Sequence, residues 1–274
     1  MKKLIKRLLI VSAVLFGVFT FIVAPRIASK PDTSFLSGAF AHRGYFDNEN
    51  NIPENSLAAF QRAVDAGVGV ELDVALSSDG VAMVFHDKTL ERMCGVEGNV
   101  WDYTCEELQQ MKLLGTDYTI PTLAQTMELI DGKVPVIVEH KMDLVDTAIC
   151  ASSYEILKDY EGQWCMKSFD PRALIWYKSN APEVIRGQLS AEFWKDEKYA
   201  GKALYTALSY LVGNVATRPD FISYQYEGVN NISLVLCRLM GAKAACWTVQ
   251  TQQAYDVLKN KFDMVVFDGF ELKI

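Results

Sequence analysis

A chain of 274 residues, half of them hydrophobic, carries one large domain with a substantial core and is short for two average domains beside a membrane segment. Its net charge of -7 excludes a broad basic surface of the kind that binds nucleic acid. Six cysteines scattered over this length do not describe a disulfide scaffold.

The first element is the run from Leu8 to Ala24, which holds no charged residue and measures about 25 Å as a helix, within the lower range for crossing a bilayer. Lys2, Lys3, Lys6 and Arg7 precede it, so residues 1–7 are expected on the cytoplasmic side and everything after the span outside. An uncleaved anchor over 8–24 is expected, since Pro25 follows Ala24, no A-x-A site is present, and Arg26 and Lys30 act as a stop. Secretion after signal cleavage is the alternative. Residues 25–38, with Pro25 and Pro31, read as a linker, and the domain is expected over 39–274.

A-F-A-H reads as a short buried strand that stops at Arg43-Gly44. A helix is expected to open at Glu54 or Asn55, with Leu57, Phe60 and Val64 on one face. V-E-L-D-V is the second strand; its alternation places Glu71 and Asp73 on one face and Val70, Leu72 and Val74 on the other. The Asp79-Gly80 turn then leaves no room for a helix before V-A-M-V-F-H, so that run is expected as a hairpin-like return outside the main repeat. Thr104 with Glu107 and Thr122 with Gln125 are capping-box patterns. Strands follow over 134–139, 164–169, 184–189, 221–224, 243–249 and 264–267, with helical stretches between them. Without the return the count is eight, which predicts a (β/α)8 TIM barrel with a small insertion after the second strand, preceded by a transmembrane helix; a doubly wound sheet would leave a similar trace.

In a barrel the C-terminal strand ends converge, and there stand His42, Arg43, Glu71, Asp73, Glu139, Lys141, Ser168 and Trp247. Glu71, Asp73 and Glu139 are three hard oxygen donors amid apolar neighbours, suited to Mg2+ or Ca2+ rather than zinc. His42 and His86, on separate elements, fit a pair in which one takes a proton and the other gives one. Arg43 offers a forked donor set for phosphate oxygens and Lys141 a point charge. His140, flanked by Glu139 and Lys141, points the other way and reads as structural. Ser56 and Ser168 lack a nucleophile-elbow context, and no P-loop, C-x-x-C or Gly-rich dinucleotide pattern occurs. Cys150, Cys165, Cys237 and Cys246 read as buried; Cys94 and Cys105, near polar turns, are the pair free to bridge. The aromatic segment 192–214 reads as a helix packed on the barrel, with a membrane-facing lip as the alternative.

The ordered set H-R-G at His42–Gly44, P-E-N-S at Pro53–Ser56, E-L-D-V at Glu71–Val74, H-D at His86–Asp87, P-T-L at Pro121–Leu123, E-H-K at Glu139–Lys141, S-F at Ser168–Phe169 and W-T-V at Trp247–Val249 resembles the glycerophosphodiester phosphodiesterase family. The resemblance runs from about residue 39 to the end. It implies metal-dependent hydrolysis of glycerophosphodiesters to sn-glycerol 3-phosphate and an alcohol. Glu71, Asp73 and Glu139 would bind the divalent cation, His42 and His86 would be the acid/base pair, and Arg43, Lys141 and Trp247 would hold the substrate. In the route it implies, the glycerol 2-hydroxyl attacks phosphorus and water opens the cyclic product.

The departures come late: V-V-F-D-G-F where a T-D-x-P-like segment is usual, and Gln250 where asparagine is common. They leave open the alcohol moiety, including a lysophospholipid in a lysophospholipase D-like reaction or an envelope polymer. Two other classes stand beside this reading, a phosphomonoesterase and a catalytically inactive membrane-tethered binding protein.

Overall fold

In the computed structural model, residues 1–273 are described; Ile274, the last residue of the domain expected over 39–274, lies outside them. Eight parallel strands close on themselves: β1 (Gly38–His42), β2 (Gly69–Leu76), β4 (Val136–His140), β5 (Trp164–Ser168), β6 (Arg186–Ser190), β7 (Phe221–Gln225), β8 (Lys243–Val249) and β9 (Met264–Phe267). β1 pairs with both β9 and β2, which shuts the ring. The remaining strand, β3 (Ala82–Val84), runs antiparallel on the edge of β2. This is a TIM barrel with an insertion after the second strand, as the alternation of strand and helix patterns predicts.

The helix expected from Glu54 or Asn55 begins later, at Leu57, because Ser56 caps it: the Ser56 hydroxyl accepts the Ala59 N–H at 3.2 Å. That frees Glu54 and Asn55 for the site. Both capping boxes form, Thr104 with Glu107 and Thr122 with Gln125. The insertion has its own apolar centre, built from Met83, Phe85, Leu90, Val100, Leu108 and Leu113. Cys94 and Cys105 both sit there as free thiols, so the bridge considered for them is not formed. Burial, the main cause, pushes the Cys94 thiol up to about 11, which keeps it protonated and unreactive at neutral pH. The other four cysteines are buried as expected.

Inward-facing residues fill the lower barrel, among them Phe40, Ile137, Cys165, Phe221, Met264 and Val266. Leu36, from the segment expected as a linker, is fully buried against this layer. The helix Lys2–Val23 is exposed over most of its length, with mean hydropathy 2.1 in its most apolar window, and is long enough to cross a membrane. Its last turn alone enters the domain, where Val23 and Ala24 are buried.

Candidate active site

The upper barrel layer is charged. Register sets Asp73 of β2 beside Glu139 of β4, and Glu139 beside Lys167 of β5. Glu71, Asp73 and Glu139 are buried, and each offers an oxygen within 4.8 Å of the others. Glu71 accepts the Arg43 backbone N–H at 3.1 Å. Asp73 accepts from Asn55 Nδ2 at 3.0 Å. Lys141 lies 2.9 Å from Asp73 and in contact with Glu139, and Lys167 lies 2.7 Å from Glu71 and 3.4 Å from Glu139.

Burial raises the Asp73 carboxyl, but Lys141, His86, Arg43 and His42 outweigh it and hold it below its ordinary range. Burial likewise opposes ionisation of Glu139, and Lys141 and Lys167 overcome it. Both lysines are pulled the other way: burial favours their neutral form, and the facing carboxylates keep them charged. Asp73 and Glu139 are therefore ionised and able to ligate. Glu71 Oε1 and Asp73 Oδ1 are buried oxygens that receive no directed hydrogen bond from the described residues, although an ammonium stands close to each. Three buried hard oxygen donors within 4.8 Å of one another fit a divalent cation of the Mg2+ or Ca2+ type.

Each histidine is backed by a carboxylate. His42 Nδ1 is 2.6 Å from Asp268 Oδ2, and Gln250 Nε2 donates to Asp268 Oδ1 at 3.0 Å. His86 Nδ1 is 2.7 Å from Asp87 Oδ1, whose other oxygen accepts from Arg92 Nε at 2.5 Å. Protonation at Nδ1 is the state these carboxylates favour, leaving Nε2 of each ring free. Burial raises the Asp268 carboxyl while the His42 bond and charge lower it further; Arg92 and His86 do the same for Asp87. Both partners are anionic through the neutral range.

Arg43 sits on a left-handed backbone (φ 57°), as does Asn55 (φ 53°). Gly44 follows at φ 78°, where an added Cβ would stand 2.9 Å from Ala59 Cβ, so glycine is required there. The turn aims Arg43 over the carboxylates: its Nη1 donates to Glu54 at 2.8 Å and its Nε is 3.7 Å from Asp73. Arg92 also holds Glu54, at 2.6 and 3.1 Å. P-E-N-S thus supplies a carboxylate that fixes two arginines, an amide that fixes Asp73, and a helix cap.

The structure gathers Arg43, Glu71, Asp73, Glu139 and Lys141 around one point, with His42 and His86 near Asp73. Trp247, at the end of β8, stands apart across the mouth: its ring meets Phe169 edge-on at 5.6 Å and lines a cavity of about 510 Å3 with Phe193, Tyr199 and Glu227. His140 is buried with Nε2 3.0 Å from the Tyr177 hydroxyl, which fits its structural reading. Ser168 spends its hydroxyl on the His140 carbonyl. Sequence reasoning missed Glu54, Asn55, Asp87, Lys167, Gln250 and Asp268. Strand parity carried a signal for two of them: Lys167 shares the inward face of Cys165, and Asp268 that of Met264 and Val266.

The Glycerophosphoryl diester phosphodiesterase family profile matches residues 42–271. The chain belongs to that family. Among family members, it is 36% identical over 160 residues to the glycerophosphodiester phosphodiesterase of Caldanaerobacter subterraneus subsp. tengcongensis, covering 54% of this chain and 65% of that protein. To the enzyme of the same name from Bacillus altitudinis it is 42% identical over 102 residues, covering 35% of this chain and 40% of that protein. The chain thus matches less than two thirds of the length of either relative. The solved phosphodiesterase of Oleispira antarctica in complex with the product sn-glycerol-3-phosphate superposes with a TM-score of 0.70 at 26% identity, covering 85% of this chain and 94% of that one. The late departures, Gln250 and the residues flanking Asp268, therefore lie within a barrel of the family's architecture, and Gln250 meets Asp268 behind His42.

Proposed function

We propose that the protein hydrolyses glycerophosphodiesters to sn-glycerol 3-phosphate and an alcohol, with a divalent cation and with His42 and His86 as proton-transfer groups. The observation that carries the reading is the pair of carboxylate-backed histidines beside a buried triad of hard oxygen donors. A diester needs one group to accept a proton from the attacking oxygen and another to protonate the departing one. One histidine, neutral with Nε2 open, takes the first proton, while the other enters protonated at Nε2 and gives its proton to the leaving oxygen; opening of the cyclic diester by water, with the two roles exchanged, returns each ring to its starting state.

Glu71, Asp73 and Glu139 would hold the cation, which when bound supplies charge neutralisation at the phosphoryl oxygens. Arg43 and Lys141 add fixed positive charge beside the same position, and Glu54 holds the guanidinium in its place. As the new oxygen–phosphorus bond forms, one histidine takes the nucleophile's proton; as the ester oxygen–phosphorus bond breaks, the other gives a proton to the leaving alkoxide. Asp268 and Asp87 stabilise the imidazolium state of their rings, formed on the one that takes the proton and present at the start on the one that gives it, without taking its proton.

The test is the full chain in detergent with glycerophosphocholine, with and without chelator, following glycerol 3-phosphate and inorganic phosphate separately. Chelator-sensitive glycerol 3-phosphate is expected, abolished by His42→Ala or His86→Ala. No release from the diester, with inorganic phosphate freed from added glycerol 3-phosphate, would replace the reading by phosphomonoester hydrolysis, and chelator-insensitive release would remove the cation.

A further inference from the structure

The end of the N-terminal helix is wired into the barrel at one particular place. Arg218 Nη1 donates to the carbonyls of Phe21 and Ala24 at 2.8 and 2.9 Å. Asn214 Nδ2 donates to the Val23 carbonyl at 2.8 Å, the Arg26 N–H to the Pro219 carbonyl at 2.8 Å, and Lys30 Nζ to the carbonyls of Met240 and Gly241 at 3.1 Å each. Pro219 directly precedes β7 and Gly241 directly precedes β8 by two residues, so every one of these contacts is on the face where strands begin. The site described above is on the face where strands end.

The surface around the exit of the helix has its own character. Arg26, Lys30, Lys178, Arg218, Arg238 and Lys243 collect there, although the whole chain is acidic. Among the carboxylates near them, Asp220 is buried beside Arg26, Asp263 pairs with Lys243, Glu183 accepts from Tyr154, and Asp32, on the segment that carries Lys30, accepts from Ser34. Between the cations stand exposed Phe21, Ile27 and Leu239, the last 78% exposed. A helix of 22 residues, about 33 Å long, leaves this face and is apolar enough to cross a hydrocarbon core of about 30 Å. Apolar side chains set among basic ones beside a spanning helix match the interface of a bilayer with anionic head groups.

We infer that the strand-start face of the barrel is seated on the outer surface of the anchoring bilayer, at anionic lipid head groups, so that the catalytic mouth opens away from the membrane. The occupant of this surface is lipid. The consequence for the reaction, which rests on the proposed hydrolase reading, is that the diester arrives from the aqueous side and not from the leaflet beneath. The aromatic segment around Trp194 and Leu204, exposed at the mouth, lies on the wrong face to dip into that leaflet. The same wiring makes the helix part of the folded unit, because cleavage after Ala24 would strip a buried turn from the barrel.

The test uses the full chain reconstituted in liposomes that carry a short-range nitroxide quencher on the lipid head groups. One fluorophore is placed at Asn260→Cys, before β9, or at Glu197→Cys, after β6, each in a Cys94→Ser/Cys105→Ser background. Quenching at position 260 at least about threefold stronger than at 197 is expected, and stronger on liposomes containing phosphatidylglycerol than on pure phosphatidylcholine. Equal or stronger quenching at 197 would overturn the orientation, and indifference to phosphatidylglycerol would overturn the anionic seat. On the same liposomes, release of glycerol 3-phosphate from external glycerophosphocholine is read in parallel. Absence of release with the expected quenching pattern sinks the hydrolase reading and leaves the orientation; release with a quenched mouth does the reverse.

Discussion

Replacing Asp268 by asparagine separates the chemistry of His42 from its position. Asp268 Oδ2 receives the Nδ1 proton at 2.6 Å, and Oδ1 is held by Gln250 Nε2 at 3.0 Å. With asparagine, Gln250 keeps the amide oxygen on its side, and the new NH2 group faces Nδ1. The imidazole then accepts at Nδ1 and carries its proton on Nε2, so the atom that must take or pass a proton is in the wrong state. A proton-transfer group of this kind contributes about 10^2–10^4-fold, or roughly 3–5 kcal/mol at 1.36 kcal/mol per decade. Loss of a charge-assisted hydrogen bond costs the fold about 1.5–3 kcal/mol, a fraction of the stability of a domain this size. The expected result is kcat lower by about 10^2–10^4-fold, KM nearly unchanged because Asp268 touches none of the phosphate-facing groups, and a cooperative melt. Steady-state rates of glycerol 3-phosphate release with a parallel thermal melt provide the check. A kcat within threefold of the parent in a folded protein would refute the dyad.

Two further outcomes follow from the buried groups. Glu139→Gln removes one charged donor and leaves Lys141 and Lys167 with one fewer counter-ion, so divalent-cation affinity measured by calorimetry is expected to fall at least about tenfold; unchanged affinity would take Glu139 out of the ligand set. His140 has its pKa pushed down to about 4, chiefly by burial, from an ordinary value near 6.5. Because the folded state holds the ring neutral while the unfolded chain binds a proton, this contribution is present above about pH 6.5 and is lost progressively as pH falls toward 4. The shift corresponds to about 3 kcal/mol, so the parent's denaturation midpoint should fall between pH 7 and pH 4 more steeply than that of His140→Asn, and parallel slopes would contradict it.

The sequence by itself narrowed the fold to a barrel or a doubly wound sheet, because eight strand patterns alternating with helical ones have few ways to bury both faces, and the pairing of β1 with both β2 and β9 decided for the barrel. It also determined the polar heart of the site: Glu71, Asp73 and Glu139 are carboxylates inside apolar strands, and His42-Arg43 sits at a strand end followed by a glycine. Such residues are legible because their local cost must be balanced by something. What supports them was legible only in part: strand parity places Lys167 and Asp268 on inward faces without naming their partners. Asp268 reaches His42 because β9 closes against β1, with Ala41 opposite Phe267 and the next residues facing each other. That pairing joins the two ends of the barrel sequence, which periodicity cannot connect. Lys167 is a lysine in an ordinary-looking strand until β4 and β5 come into register and place it under Glu139. Glu54 and Arg92 read as surface charges, and become a clamp on Arg43 once the insertion folds back over the P-E-N-S turn. The apolar helix at the N-terminus was equally plain in the sequence. Only the packing of Val23, Arg26 and Lys30 beneath the strand starts decided which end of the barrel it joins, since that choice depends on loops far apart in the chain meeting on one face.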